Sequence, residues 1–206
     1  MMSVGVLASG EGTNLQALLD GVHGREIEIV AVACDQPSAG AVERAHAAGV
    51  PSRVFLRSEF GARATRDAAM ADWLVERGVE LVVLAGYMAI LDAGFVARFP
   101  DRILNVHPSL LPAFPGVRAI EQAIEYGVKV FGVTIHFVDE GVDTGSIVLQ
   151  RAVELPDARD PEAVLATLRP IEHELLPRAV ALMAAGRLRR DPSQPRRVLV
   201  DEEPGS

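Results

Sequence analysis

The chain of 206 residues contains a single cysteine, Cys34. That excludes an intrachain disulfide framework and any metal site built from several cysteines, and it suits a reducing cytosol. No apolar run is long enough to span a membrane. No basic leader precedes the strand-like start Met1-Met2-Ser3-Val4-Gly5-Val6, so no signal peptide is expected. Positive charge is in deficit: 20 Lys and Arg stand against 28 Asp and Glu, a formal net charge of −8. This opposes broad nucleic-acid binding. Small anionic ligands stay allowed, because main-chain N–H groups at a helix start can outweigh net charge locally. The chain also lacks a G-x-S-x-G elbow and any HxH or HExxH spacing. These absences argue against a serine nucleophile and against a metal centre, and a strand-borne Cys34 argues against a cysteine nucleophile.

What is present is a large apolar share, 49% of residues, enough for one sizeable core. Strand and helix patterns alternate from the start. Ser3 to Ala8, Glu28 to Cys34, Ser52 to Leu56 and Glu80 to Ala85 read as strands. Asn14 to Val22, Ala39 to Ala48 and Ala62 to Arg77 read as helices. In the third helix Met70, Trp73 and Leu74 share an apolar face, with Arg66, Asp67 and Glu76 placed mostly away from it. The nearly all-apolar fourth strand is what a strand covered on both faces requires. This order predicts an α/β fold with a doubly wound, mostly parallel sheet. After Gly127 two long β runs, Val130 to Val138 and Ser146 to Leu155, predict antiparallel strands added at the sheet edge. A long C-terminal helix is expected from Pro161, capped by Asp160, to about Ala185, with disturbances at Pro170 and Pro177. We expect one domain over residues 1–190 and a poorly ordered tail over 191–206, rich in Pro, Arg and Glu.

Three stretches carry chemistry. Asn105-Val106-His107-Pro108-Ser109-Leu110-Leu111-Pro112 follows an apolar strand end. Asn105 and His107 are two apart, so their side chains point the same way there. An amide beside an imidazole can stabilise an oxyanion and move a proton. The loop Gly141-Val142-Asp143-Thr144-Gly145 could bring a carboxylate to that imidazole. An adjacent carboxylate favours the imidazolium, and the plain alternative is a turn-forming aspartate. Ala8-Ser9-Gly10-Glu11-Gly12-Thr13-Asn14 lies between the first strand and helix. It reads as a phosphate cradle, as a tight turn capped by Thr13 or Asn14, or as a dinucleotide fingerprint broken by Leu15, with Asp35 ending the second strand. His136, inside a strand, reads as structural, and His173 as a polar-face residue of the last helix.

These motifs resemble the formyltetrahydrofolate-dependent transferases and hydrolases. The residues that carry the likeness are Asn105-x-His107-Pro-Ser-Leu-Leu-Pro and Val133-Thr-Ile-His-Phe-Val-Asp-Glu-Gly-x-Asp143-x-Gly145. The glycine loop and the single-domain length are most similar to the phosphoribosylglycinamide formyltransferase branch. The likeness covers Gly5 to Leu155 well and the last helix moderately. It implies a Rossmann-like formyltransferase fold and formyl transfer from 10-formyltetrahydrofolate, as co-substrate and without a metal, to the amine of a phosphoribosylglycinamide in purine synthesis. It implies that Asn105, His107 and Asp143 are catalytic, with a protonated His107 kept charged by Asp143. It places the phosphoribosyl substrate on Gly12, Thr13, Asn14 and Glu172. The folate falls on Arg63, Met88, Ala89, Ile90, Leu91, Asn105, Asp139, Glu140, Gly141, Val142 and Asp143. For Met88, Ile90 and Leu91, core packing is the alternative.

Three positions depart from the family pattern. Ala89 stands where Arg is frequent, Pro170 precedes Glu172, and Ser146 replaces a frequent proline, a change expected to matter little. A formyltetrahydrofolate hydrolase would share the trio but is expected to carry an added N-terminal domain. A methionyl-tRNA formyltransferase would need a C-terminal RNA-binding domain. Outside the class stand a nicotinamide-linked oxidoreductase, opposed by the broken fingerprint, and a nucleotide-binding module, opposed by the paired His107 and Asp143. The expected partners are small-molecule substrates, with no nucleic acid and no membrane, in the cytoplasm; monomer and homodimer both stay open.

Overall fold

The computed structural model describes residues 1–201, apart from the side chain of Pro195. The chain divides into two compact units, Met1–Asn105 and Val106–Ser206.

In the first unit, strands β1 (Met2–Ala8), β2 (Ile27–Cys34), β3 (Ser52–Val54), β4 (Leu81–Leu84) and the start of β5 (Ile103–His107) alternate with helices α1 (Thr13–Gly21), α2 (Gly40–Ala47), α3 (Arg63–Glu76) and α4 (Ala93–Arg98). The strands lie in the order β3-β2-β1-β4-β5 and every pairing is parallel. The β1 core residues Val4, Val6 and Leu7 and all of β4 except Leu84 are fully enclosed, which explains their unbroken apolar sequence. α3 packs hard on β1: a Cβ at Gly5 would sit 3.0 Å from Leu74 and 3.1 Å from Val79. From β1 the chain goes to β2 and β3 on one side, then returns to β4 on the other. The reversal leaves a crevice at the carboxyl ends of β1 and β4, where such sheets take their ligands.

The second unit holds α5 (Ala119–Tyr126), β6 (Val130–Phe137), β7 (Ile147–Glu154), α6 (Pro161–Ala184), β8 (Leu188–Asp191) and β9 (Gln194–Val200). β6 and β7 are antiparallel, from Val130↔Glu154 to His136↔Ile147. β6 is buried from Phe131 onward, whereas alternate residues of β7 are buried or half-buried. α6 starts as expected, with Pro161 at its first turn and the Asp160 carboxylate accepting from Glu162 N at 3.1 Å. Pro170 and Pro177 do not end it. The buried face Leu168, Leu175, Leu176, Ala179 and Val180 holds the helix through two positions that lack an N–H donor. The Ser-Leu-Leu-Pro stretch is tied down by Thr134 of β6. The Thr134 hydroxyl donates to Ser109 O at 2.7 Å and accepts from Leu111 N at 3.1 Å.

The predicted class is what forms: doubly wound parallel strands, an antiparallel pair and a long last helix. Two expectations need correction, and two short helices are additions. Residues 191–200 of the expected loose tail build a hairpin, with Leu188↔Val200 and Arg190↔Val198 paired; residues 202–206 lie outside the described residues. The short helices α4 and α5 go beyond the sequence pattern, which offers few apolar repeats over six or eight residues. Arg66 and Asp67 of α3 are not turned away but buried, at 3% and 0% exposure. Asp67 satisfies both neighbours, accepting from Arg66 Nε at 2.8 Å and from Asp92 N at 2.7 Å.

Candidate functional site

In the first unit the glycine loop occupies the crevice at the end of β1. Gly12 has φ 74°, and a Cβ there would lie 2.7 Å from Ala41 Cα; only glycine fits. Gly12 is itself the N-cap of α1, and no side chain caps it. The capping roles expected as alternatives for Thr13 and Asn14 are therefore not what forms. Arg44 of α2 anchors the loop through Glu11 O at 2.8 Å and Gln16 Oε1 at 3.0 Å. Leu15 is fully buried where a dinucleotide fingerprint would need its third glycine.

The loop is latched to the turn after β4. Ser9 N donates to Gly86 O at 3.1 Å, and Met88 N donates to Ser9 Oγ at 2.9 Å. Beyond the latch Met88 and Ile90 are 70% and 59% exposed, so core packing does not account for them. Ala89 and Leu91 are half-buried, and Arg63 is exposed at the first position of α3. Below this turn Tyr87 is buried, and burial raises its phenol well above the usual range; the guanidinium of Arg66 pulls the other way.

In the second unit Asp143 sits between two imidazoles. Its Oδ2 lies 3.4 Å from His107 Nδ1 and its Oδ1 3.4 Å from His136 Nε2. Gly116 N donates to Asp143 Oδ2 at 2.7 Å. Each imidazole turns its other nitrogen to a main-chain carbonyl: His107 Nε2 to Phe114 O at 2.9 Å, His136 Nδ1 to Phe137 O at 2.8 Å. A carbonyl accepts only, so these partners place one proton on each of those nitrogens. The two nitrogens facing the carboxylate are where a further proton enters. Burial opposes ionisation of Asp143, but His136, the Gly116 N–H and His107 together bring its pKa down to about 2.

His107 behaves differently from the expectation that Asp143 holds it charged. Burial pushes its pKa below the usual value, against the Phe114 carbonyl and Asp143, and His136 lowers it further. The resting imidazole is biased towards its neutral form. Asn105 is half-buried two residues before it on β5. His136, read from sequence as structural, joins the cluster at 1% exposure. Its alternation with the buried Thr134 on β6 was the available signal.

The loop after β6 is shaped by glycine. A Cβ at Gly145 would meet Phe137 O at 1.7 Å, and one at Gly141 would meet Thr144 Oγ1 at 2.0 Å. Asp139 Oδ1 accepts from Gly141 N at 3.1 Å and Thr144 Oγ1 at 2.5 Å. Asp139, Glu140 and Val142 are exposed. Glu172 is buried at 7% exposure on the continuous α6, so Pro170 does not displace it from the helix. Next to it His173 Nε2 is buried without a hydrogen-bond partner, more enclosed than a polar-face residue. Among the described residues, no group of three or more His, Cys, Asp or Glu is placed to hold a metal ion. No described helix is long and apolar enough to cross a membrane.

The chain is similar to known proteins along most of its length. A family model described as formyl transferase matches residues 2–180. A phosphoribosylglycinamide formyltransferase of Haemophilus influenzae is 42% identical over 191 residues, covering 92% of this chain and 90% of that protein. A trifunctional purine biosynthetic protein adenosine-3 of Drosophila pseudoobscura pseudoobscura is 44% identical over 191 residues. This chain spans only 14% of the length of that larger relative. Among solved structures, a glycinamide ribonucleotide transformylase of Symbiobacterium toebii superposes with a TM-score of 0.92 at 45% identity, covering 98% of this chain and 95% of that one. Matched over residues 2–180 by that family model and over nine-tenths of its length by a 42% identical relative, the chain belongs to the formyl transferase family.

Proposed function

We propose that this chain transfers the formyl group of 10-formyltetrahydrofolate to the amine of N1-(5-phospho-D-ribosyl)glycinamide. The products are the formylglycinamide ribonucleotide and tetrahydrofolate, in the purine (IMP) pathway. The observation that carries this reading is the pairing of buried His107 with half-buried Asp143, at 3.4 Å, with Asn105 two residues before His107 on the same strand. The amine attacks the formyl carbon, and the carbonyl oxygen takes on negative charge. The Asn105 amide N–H donates to that oxygen. The amine must lose a proton and the departing folate nitrogen must gain one. Burial lowers the pKa of His107, which makes its imidazolium a ready donor; with Nε2 on Phe114 O, the proton it takes up and hands on enters at Nδ1, beside Asp143. Asp143, ionised down to about pH 2, supplies the counter-charge while His107 carries the proton and can relay protons through water.

Gly12, Thr13 and Asn14 hold the phosphate at the uncapped start of α1, and Glu172 contacts the ribonucleotide. Arg63, Met88 to Leu91 and the Asp139 to Asp143 loop receive the folate; the exposed Met88 and Ile90 offer apolar surface to a flat ring. The single Cys34, buried and unpaired, fits a reducing compartment, and we assign the reaction to the cytoplasm, by a monomer or homodimer. The test follows loss of the formyl group from a 10-formyl folate with and without the ribonucleotide amine. Loss that requires the amine, with formylated amine formed in equal amount, is the expected result. Loss at the same rate without the amine identifies a hydrolase and ends the transferase reading.

A further inference from the structure

We propose that the C-terminal hairpin is a clamp on the Asp143 loop, with Arg190 and Arg196 as positioning residues for the His107–Asp143–His136 cluster. The proposal rests on the functional reading above for its catalytic consequence, but not for its geometry.

Asp143 has φ 52°, a left-handed conformation that is uncommon for a residue with a side chain and that aspartate takes more readily than most when its carboxylate is hydrogen-bonded. On the side chain, Gly116 N and the two imidazoles hold it. On the main chain, the residues that follow are held by the hairpin. Arg196 Nη2 of β9 donates to Thr144 O at 2.8 Å. Arg190 Nη1 of β8 donates to Ser146 Oγ at 2.7 Å. The same Arg190 guanidinium lies over the Phe137 ring, 5.5 Å from its centroid, a favourable cation–ring contact. Phe137 is also the residue whose carbonyl receives His136 Nδ1. One arginine thus touches both ends of the 137–146 loop, while the other holds the carbonyl of Thr144, the residue immediately after Asp143.

Ser146 is what allows this. It is 7% exposed and offers a hydroxyl acceptor to Arg190. The substitution expected to matter little is therefore a contact of the clamp. The fork of an arginine can bond an oxygen and lie flat on a ring at once, which a lysine cannot.

The test compares the full chain with Arg190→Ala/Arg196→Ala, reading the His107 titration by imidazole NMR without substrate, and then formyl transfer. Releasing the loop relieves the burial that lowers the His107 pKa and weakens the Asp143 contact that raises it, so the His107 midpoint moves, by about half a pH unit or more. We expect kcat to fall about tenfold while both KM values stay within about twofold, as for misplaced catalytic groups. Arg190→Lys in the otherwise unchanged chain should fall between. A folded double variant with an unmoved midpoint overturns the clamp. A moved midpoint with unchanged kcat overturns its part in catalysis. Should the double variant not fold, Ser146→Ala removes only the acceptor; a smaller shift of the midpoint supports the clamp and none overturns it. A shifted midpoint in a protein whose wild type transfers no formyl group keeps the clamp and ends the functional reading instead.

Discussion

At the residue scale, the chemistry concentrates on two imidazoles and one carboxylate that share few protons. His107→Ala removes the group that moves the proton and should lower kcat by about 10²–10⁴, measured with saturating substrates. Asp143 gives a pH signature. Its folded pKa, about 2, lies below the value near 3.9 of an unfolded aspartate. The stabilisation is therefore fully present above about pH 4 and is lost as pH falls through about 2. It amounts to about 2 kcal/mol. Urea unfolding at pH 5 and pH 2.5 should show a smaller loss in Asp143→Asn than in the wild type; an equal loss contradicts the assignment. Asn105 and His107 were legible in the sequence because they lie two apart on one strand end. The lowered pKa of His107 was not, because it follows from burial and from His136, which is distant in the chain. The role of His136 stayed hidden for the same reason: alternation tells which face a residue takes, not what waits there.

At the element scale, the parallel strands could be read directly, since a strand enclosed on both faces is a run of Val, Leu and Ala. What patterning misjudged is α3. A charged pair normally marks a helix's wet face, yet Asp67 is fully buried because its carboxylate binds both Arg66 and the main chain at Asp92. Asp67→Ala would leave a buried guanidinium and a main-chain N–H without their acceptor. We expect a loss of about 3–5 kcal/mol in chemical denaturation. If burial alone were the role of Asp67, the loss would be within about 1 kcal/mol, as for ordinary surface changes. Because Asp92 closes the turn carrying Met88 to Leu91, the same variant should also raise the KM for the folate.

At the scale of the whole molecule, the glycine loop, the alternation of strands and helices and the long α6 all follow from local signals, and the hairpin does not. Residues 191–206 combine prolines, arginines and glutamates that read as a loose tail. The order of the hairpin comes from long-range partners: Asp201 with Arg187 and Arg189, Thr144 and Ser146 with Arg196 and Arg190. A chain ending at Gly186 should keep its far-UV circular dichroism and lose about tenfold or more in kcat. Unchanged turnover in that truncated chain would show that the hairpin does nothing for the reaction.

The two hydrogen bonds joining Ser9 to Gly86 and Met88 have a thermodynamic consequence. On the proposed reading, the glycine loop that takes the phosphate and the turn that takes the folate are parts of one linked equilibrium. Ordering either one removes disorder from the other, so the phosphorylated amine and the folate bind with synergy. Reciprocity requires that each tightens the other by the same factor. Ser9→Ala breaks the side-chain half of the link and should bring that factor towards one in titrations of each ligand with and without its partner.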